Sequence, residues 1–354
     1  MARTRFRTRA LGVAGLVAAA ALALSGCTSD SGDSGGGDAD SVTIGISQFV
    51  QHPALDAAAE GFKQAFIDAG YVEGETVTFD VKNANAEVAT ATTIAQTFAS
   101  DGVDLALAIA TPSAQAAAQN LTDVPVLFTA VTDAVAADLV ESNEAPGGNV
   151  TGTSDLSPVA EQIDLIMEIK PDTKKIGMVY GSGEVNSQVQ VELAREAAKA
   201  HGVEVVEATV TNASAAKAHG VEVVEATVTN ASELMQATES LGDVDAIYTP
   251  SDNLVASGIG AIVGVAEEKG ILVVGSDSTH VDGGAAATVG IDYTKLGAQT
   301  GEMAIRILKD GADPATMAVE TSKDLELTIN PEAAKRLGVE LPAALVERAA
   351  NVVK

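Results

Sequence analysis

The sequence predicts an α/β protein of two doubly wound parallel-sheet lobes joined by a three-segment hinge. Short β-rich runs alternate with helical stretches, and this alternation builds βαβ crossovers and parallel sheets. The series breaks at Pro146-Gly147-Gly148-Asn149 and then starts again. At 354 residues the chain has length for two globular units.

The first unit shows the logic of the rest. Thr43 to Ile46 is a short β-rich run, and Leu55, Ala58, Ala59, Phe62 and Phe66 then recur at helical spacing. The polar turn between them runs from Ser47 to Pro53. Turns at the carboxyl ends of parallel strands form the ligand crevice, which makes Gln48, Gln51 and His52 candidates to face a bound molecule.

Further along come Thr76–Val81 (strand), Val88–Ser100 (helix), Val103–Ala110 (strand), Ser113–Asn120 (helix) and Val124–Phe128 (strand). Ser113 reads as a helix N-cap, and the amides and hydroxyls around it could also hold a ligand carboxylate. Val150–Ser154 reads as a crossover between lobes. The second series is Pro158–Lys170 (helix), Lys175–Tyr180 (strand), Ser187–Ala200 (helix), Val203–Val210 (strand), Ser232–Leu241 (helix), Ala246–Thr249 (strand), Leu254–Lys269 (helix) and Ile271–Val274 (strand). Tyr293–Lys309 is a further helix, Leu325, Leu327 and Ile329 alternate as a strand, and Asn330-Pro331 opens another helix. These last pieces complete the two lobes, so the chain crosses between them three times. The expected division is 42–152 with 291–322 for lobe 1, and 153–290 with 323–354 for lobe 2.

Ahead of the fold, Arg3, Arg5, Arg7 and Arg9 precede an apolar run, Ala10–Leu24, too short to span a bilayer comfortably. Residues 1–26 therefore read as a secretory signal peptide. Leu24-Ser25-Gly26-Cys27 looks like a bacterial lipobox, which implies cleavage before Cys27, lipidation of its thiol and anchoring at a membrane surface. The Ser, Gly and Asp composition that follows makes 27–41 a flexible tether.

Residues 197–214 read A-A-K-A-H-G-V-E-V-V-E-A-T-V-T-N-A-S, and 215–232 repeat them without a difference. One perfect copy suggests a recent duplication or an assembly error, and not a solenoid. A doubly wound lobe needs one such strand. Two parallel neighbours need a crossover longer than Thr211–Gly220, so the surplus copy is expected as an antiparallel edge strand or an extruded loop. His201 and His219 are one position twice, read as solvated helix-end residues.

Composition narrows the function. With 21 basic and 49 acidic residues the formal charge is −28, which argues against nucleic-acid partners. Trp is absent and aromatic residues are few, which leans slightly against a pyranose ligand. One cysteine excludes an internal disulfide and a Cys-cluster metal site, and His52 and His280 are too few for a metal or acid/base cluster. No cofactor is expected.

Six polar turns converge from the two sheets: Gln48–His52, Thr111–Ser113 and Thr129–Asp133 from the first, Gly181–Ser187, Pro250–Asn253 and Ser276–His280 from the second. They suit a small polar molecule. Gly181-Ser182-Gly183 lacks the lysine of a phosphate loop, and no nucleophile elbow is present. Asp252 and Asp277 could be paired carboxylates for acid/base work or ligand contacts; the alternatives are Asp252 as a helix cap before Leu254 and Asp277 as a solvated loop acid. An amino-acid ligand would use carboxylates for its ammonium and helix amides for its carboxylate.

The lipobox, the tether and the two lobes with three crossings resemble the type 1 periplasmic-binding-protein superfamily of ABC importers. The stretch I-S-Q-F-V-Q-H-P-A-L-D-A-A-A-E-G-F, with A-T-P-S-A-Q-A-A and Y-T-P-S-D-N-L-V, is similar to the substrate-binding lipoproteins of tryptophan and tyrosine transporters. The resemblance implies a monomeric, extracytoplasmic, non-enzymatic clamp that closes on an aromatic or related amino acid and presents it to permease subunits. By position it implies a cleft lined by Gln48, His52, Thr111, Ser113, Asp133, Ser154, Tyr180, Asn186, Asp252, Asn253 and Asp277. The alternatives are a sugar or other nutrient receptor or sensor of the same fold, or an α/β hydrolase or racemase using Asp252 or Asp277.

Overall fold

The computed structural model describes residues 41–207, 226–322 and 324–354; the expected signal segment, Cys27, residues 28–40 of the tether and His219 lie outside them. The first half runs β1 (Val42–Gln48), α1 (Pro53–Asp68), β2 (Val77–Asn83), α2 (Val88–Asp101), β3 (Leu105–Ile109), α3 (Thr111–Asn120), β4 (Val126–Val131) and β5 (Val150–Ser154). β3 and β4 are buried at every position, as expected of parallel strands covered by helices on both faces.

The second half runs α4 (Val159–Ile169), β6 (Lys175–Gly181), α5 (Val185–Ala200), β7 (Glu204–Glu207), β8 (Ala226–Val228), α6 (Leu234–Ser240), β9 (Ala246–Thr249), α7 (Asn253–Lys269), β10 (Leu272–Gly275), α8 (Ser278–Asp282) and β11 (Ala287–Ile291). The chain ends with α9 (Tyr293–Asp310), β12 (Glu320–Thr321), β13 (Leu325–Ile329), α10 (Pro331–Arg336), α11 (Ala343–Arg348) and β14 (Asn351–Val352).

Two sheets result, each with its own hydrophobic core. The first has the order β12-β5-β4-β3-β1-β2 and is parallel throughout. The second has the order β14-β13-β11-β10-β9-β6-β7, with β8 also on β6; its antiparallel pair is β11 with β13. The chain passes between sheets after β5, after β11 and after β12.

Three local readings are corrected. Val150–Ser154 is not the crossover but a strand of the first sheet, and the crossing follows it. Ser113 does not cap α3: the helix begins at Thr111, and Ala110 is its N-cap with φ 79. Of the two outcomes expected for the surplus copy, the antiparallel edge strand is not found among the described residues, where both copies pair parallel, and the extruded loop would fall on residues 208–225, outside them. β7, from the first copy, pairs parallel with Lys175 to Met178, and β8, from the second, pairs parallel with Val179 to Gly181. The copies thus supply successive halves of one edge.

α9 leaves the second sheet's β11 and packs against α1 of the first lobe. The approach is close enough to require glycine: a Cβ on Gly61 would lie 2.0 Å from the Thr294 carbonyl oxygen, and one on Gly297 2.0 Å from that of Ala58. This contact fixes the amino end of α9, with Tyr293, beside the start of α1.

Candidate functional site

A cavity lies where the carboxyl ends of both sheets meet. His52, Ala54, Leu55, Ala130, Thr132 and Tyr293 face it from first-lobe elements, and Asn186, Ser251, Asp252, Asn253, Ala256 and Asp277 from second-lobe elements, with Asp155 on the first crossing. Its water-sized free space is about 20 Å³, room for about one water molecule. The walls must draw back to admit anything larger.

His52 ends the turn after β1 and precedes Pro53 at the first position of α1. No side chain caps that helix, and Ala54 and Leu55 of its first turn line the cavity. His52 Nε2 lies 3.5 Å from Asn253 Oδ1 across the lobes, and its Nδ1 is buried without a partner. Burial lowers the pKa of its imidazole against the opposing pull of Asp277 and Asn253.

Asp252 is the N-cap of α7. Its Oδ1 accepts from Val255 N at 2.9 Å, and its Oδ2 accepts from Gly181 N and Ser187 Oγ, each at 2.6 Å. Asp277 likewise caps α8: Thr279 N and Oγ1 donate to Oδ1 at 2.9 and 2.6 Å, and Ser276 Oγ donates to Oδ2 at 3.0 Å. Burial works to raise the Asp277 pKa, but His280 and these donors outweigh it and hold it below the usual carboxylate value. Both acids are therefore caps and cavity walls at once, and Asp277 is not the solvated loop acid expected, because its cap bonds hold it buried.

Asp155 takes hydrogen bonds from the Tyr293 hydroxyl at 2.7 Å and from Thr132 Oγ1 at 3.1 Å. Burial nevertheless pushes its carboxyl up to about 6, with Asp277 adding to the effect. Behind the wall, Glu184 Oε2 accepts from Asn186 Nδ2 at 3.0 Å and Asn253 Nδ2 at 2.5 Å. Burial and then Asp252 raise its carboxyl to about 8. Among the described residues no group of His, Cys, Asp or Glu could hold a metal ion.

Five residues expected in the cleft line this cavity: His52, Asn186, Asp252, Asn253 and Asp277. The other six do not. Gln48 Nε2 ties the turn to α1 through Asp56 Oδ1 at 2.7 Å, and Ser154 Oγ donates to the Thr132 carbonyl at 2.8 Å. Asp133 caps the turn after β4 through the amides of Val135 and Ala136 at 3.0 and 2.9 Å. Tyr180 belongs to the second core, and Thr111 and Ser113 are buried at the start of α3. Thr132 and Ser251 lie in turns expected to face the cleft, Thr129–Asp133 and Pro250–Asn253, without being singled out there, whereas Asp155 and Tyr293 were missed outright. Thr132 is aimed by a bulge in β4, where the register on β5 shifts between Phe128 and Val131 and Ala130 takes φ 55.

A family model described as ABC transporter substrate binding protein matches residues 43–215 and 211–353. The chain belongs to the ABC transporter substrate-binding protein family. The two matched stretches overlap inside the duplication, where the family's sequence is met twice. This substrate-binding protein is 41% identical over 298 residues to a tyrosine-binding protein of Clostridioides difficile, covering 84% of this chain and 81% of that one. Its fold is that of type 1 periplasmic binding proteins.

Two solved structures are informative together. A Streptococcus pneumoniae ABC domain in complex with L-Trp matches with TM-score 0.80 at 33% identity, over 89% of this chain and 100% of that one. A ligand-free, open substrate-binding protein with adhesive properties from Clostridium difficile matches with TM-score 0.65 at 42% identity, over 88% and 99%. The more similar sequence is the poorer spatial match. No helix among the described residues is long and apolar enough to cross a membrane.

Proposed function

We propose that this protein is the extracytoplasmic receptor of an ABC importer, binding a small amino acid ligand with an aromatic or related side chain between its lobes. Cys27 carries the lipid anchor, and permease subunits receive the ligand. The lobes, divided at the three crossings, open to admit the ligand and close on it without turnover.

The observation that carries this reading is the polarity of the cavity. The lining combines acceptors, the carboxylates of Asp155 and Asp277 with Asn186, with the amino end of α1 beside His52, which no side chain caps. The acceptors suit the ammonium of an amino acid, and the helix amino end suits its carboxylate. Small walls at Ala54, Ala130 and Ala256 leave space for a ring as the lobes draw back. The tyrosine-binding relative and the L-Trp complex support the same ligand class.

Of the expected ligand contacts, His52, Asn186, Asp252, Asn253 and Asp277 are retained, with Thr132, Asp155 and Tyr293 added. Gln48, Thr111, Ser113, Asp133, Ser154 and Tyr180 support them from behind. A thermal-shift panel of the twenty amino acids, with sugars and nucleosides, tests the reading. Stabilisation by RT ln(1 + [L]/Kd) is expected for L-tyrosine, L-tryptophan or L-phenylalanine. Silence for every amino acid with a response to a sugar makes it a nutrient receptor of another class.

A further inference from the structure

Glu184 does not line the cavity, yet it touches both asparagines that do. Its Oε2 accepts from Asn186 Nδ2 at 3.0 Å, from Asn253 Nδ2 at 2.5 Å and from the Asn253 amide at 3.4 Å. Asn186 Nδ2 also donates to the Ser251 carbonyl at 2.9 Å. A side-chain amide has one donating and one accepting end, so engaging the nitrogens decides where the oxygens point. Asn253 Oδ1 faces His52 Nε2 at 3.5 Å, and Asn186 Oδ1 is buried with no partner, at a residue only 4% exposed. With any proton of the Glu184 carboxyl on Oε1, Oε2 stays an acceptor; flipping either amide would lose these bonds, set its oxygen against Oε2 and turn a donor away from it.

We infer that Glu184 is a positioning residue: by engaging the side-chain nitrogens of Asn186 and Asn253 it holds both amide oxygens toward the cavity, so that this wall selects ligands carrying a primary ammonium. The inference rests on the amino-acid reading above and adds the group that enforces it. Glu184, Asn186 and Asn253 all belong to the second lobe, so the arrangement persists when the lobes separate. An unpaired buried acceptor rejects a ligand that lacks the matching donor far more strongly than an apolar wall rejects a missing methylene.

Two measurements on the mature full-length protein test it. Calorimetry compares L-tyrosine with 3-(4-hydroxyphenyl)propionate, which lacks only the amino group. The wild-type protein is expected to prefer L-tyrosine at least 100-fold, Glu184→Ala to lose at least tenfold of that preference, and Glu184→Gln, which retains an acceptor, to restore most of it. A purely structural role would lower both affinities by one factor and leave the ratio unchanged, which overturns the inference.

The second measurement needs no ligand. In the ¹⁵N-labelled wild-type protein the side-chain NH₂ groups of Asn186 and Asn253 are expected to exchange with water at least tenfold more slowly than that of exposed Asn85, and faster in Glu184→Ala. Exchange in the wild type as fast as at Asn85 overturns the inference whatever the protein binds. Failure of the wild type to bind either probe, with slow exchange retained, counts against the amino-acid reading alone.

Discussion

Glu207 and Ala226 occupy consecutive positions along one sheet edge, opposite Met178 and Val179, although residues 208–225 separate them in the chain. Ala226 is the second copy's equivalent of Ala208, so the edge reads as a single uninterrupted copy of the repeat. Removing 208–225 should join the halves without changing the register. A connection of this length with its ends held side by side costs about 2 to 3 kcal/mol of closure entropy. The deletion variant is expected to melt a few degrees higher and to bind ligand unchanged in calorimetry. A large loss of stability would mean that the extra copy contributes to the fold.

Asp155 predicts an unusual pH dependence. Its carboxyl sits at about 6 in the folded protein, above the ordinary 3.8, because it is buried. A raised carboxyl contributes stability that is complete below the unfolded value and lost as pH rises through the folded one. Across pH 4 to 6 this is on the order of 3 kcal/mol for a group so fully buried. Glu184, raised to about 8, acts in the same direction at higher pH. Ligand-free protein should therefore melt higher at pH 5 than at pH 8, the lowered imidazole of His52 offsetting part of the change below about 6.5, and Asp155→Asn should flatten the lower part of that slope. A wild-type melting temperature that rises steadily from pH 5 to 8 would contradict the buried assignment.

The acid also links pH to binding. If an ammonium sits against Asp155, protons compete with it once pH falls below about 6. Affinity for L-tryptophan should drop up to about tenfold per pH unit there, and Asp155→Asn should abolish the dependence. The protein contains no tryptophan, so the ligand's own fluorescence reports binding without background.

Gly297 and Gly264 separate close packing from open space on two helices. A Cβ at Gly297 meets the Ala58 carbonyl oxygen at 2.0 Å, whereas one at Gly264 meets nothing within 4 Å. Gly297→Ala should cost about 1 to 3 kcal/mol or more by forcing α9 from α1, and should weaken binding by shifting Tyr293. Gly264→Ala should gain up to about 1 kcal/mol from helix propensity alone. Denaturant melts distinguish the two, and equal effects would show that the helix contact is loose.

The contrast between what was legible and what was not has a physical basis. Buried parallel strands such as Leu105–Ile109 and Val126–Val131 are nearly continuous apolar runs, so both sheets were readable from periodicity. The rule that ligands meet the turns after strands found His52, Asn186, Asp252, Asn253 and Asp277. It missed Asp155 because Val150–Ser154 was read as a connection, and a residue after a connection follows no strand. Tyr293 follows β11, and the same rule applied there would have found it. The β4 bulge that aims Thr132 depends on Ala130 adopting φ 55, a conformation that alanine does not advertise. Glu184 lies in the expected turn Gly181–Ser187, but the role inferred for it rests on contacts to Asn186 and Asn253 that form only in the fold.

His52 provides the most direct test of the clamp. It stands in the first lobe's opening turn, and its Nε2 meets Asn253 Oδ1 of the second lobe at 3.5 Å, the long end of hydrogen-bonding distance. Gln190 Nε2 reaches Thr132 Oγ1 across the lobes at a similar 3.4 Å. Bonds this long contribute about 1 kcal/mol or less each, so on the proposed clamp reading they add little to closure beside the ligand's own contacts. His52→Ala should then weaken amino-acid binding about three- to tenfold, through the lost ring contact more than through the latch. A double-mutant cycle with Asn253→Ala separates the two: a coupling below about 1 kcal/mol is expected in calorimetry. If His52→Ala leaves affinity untouched, the histidine is a neighbour of the ligand and not a jaw of the clamp.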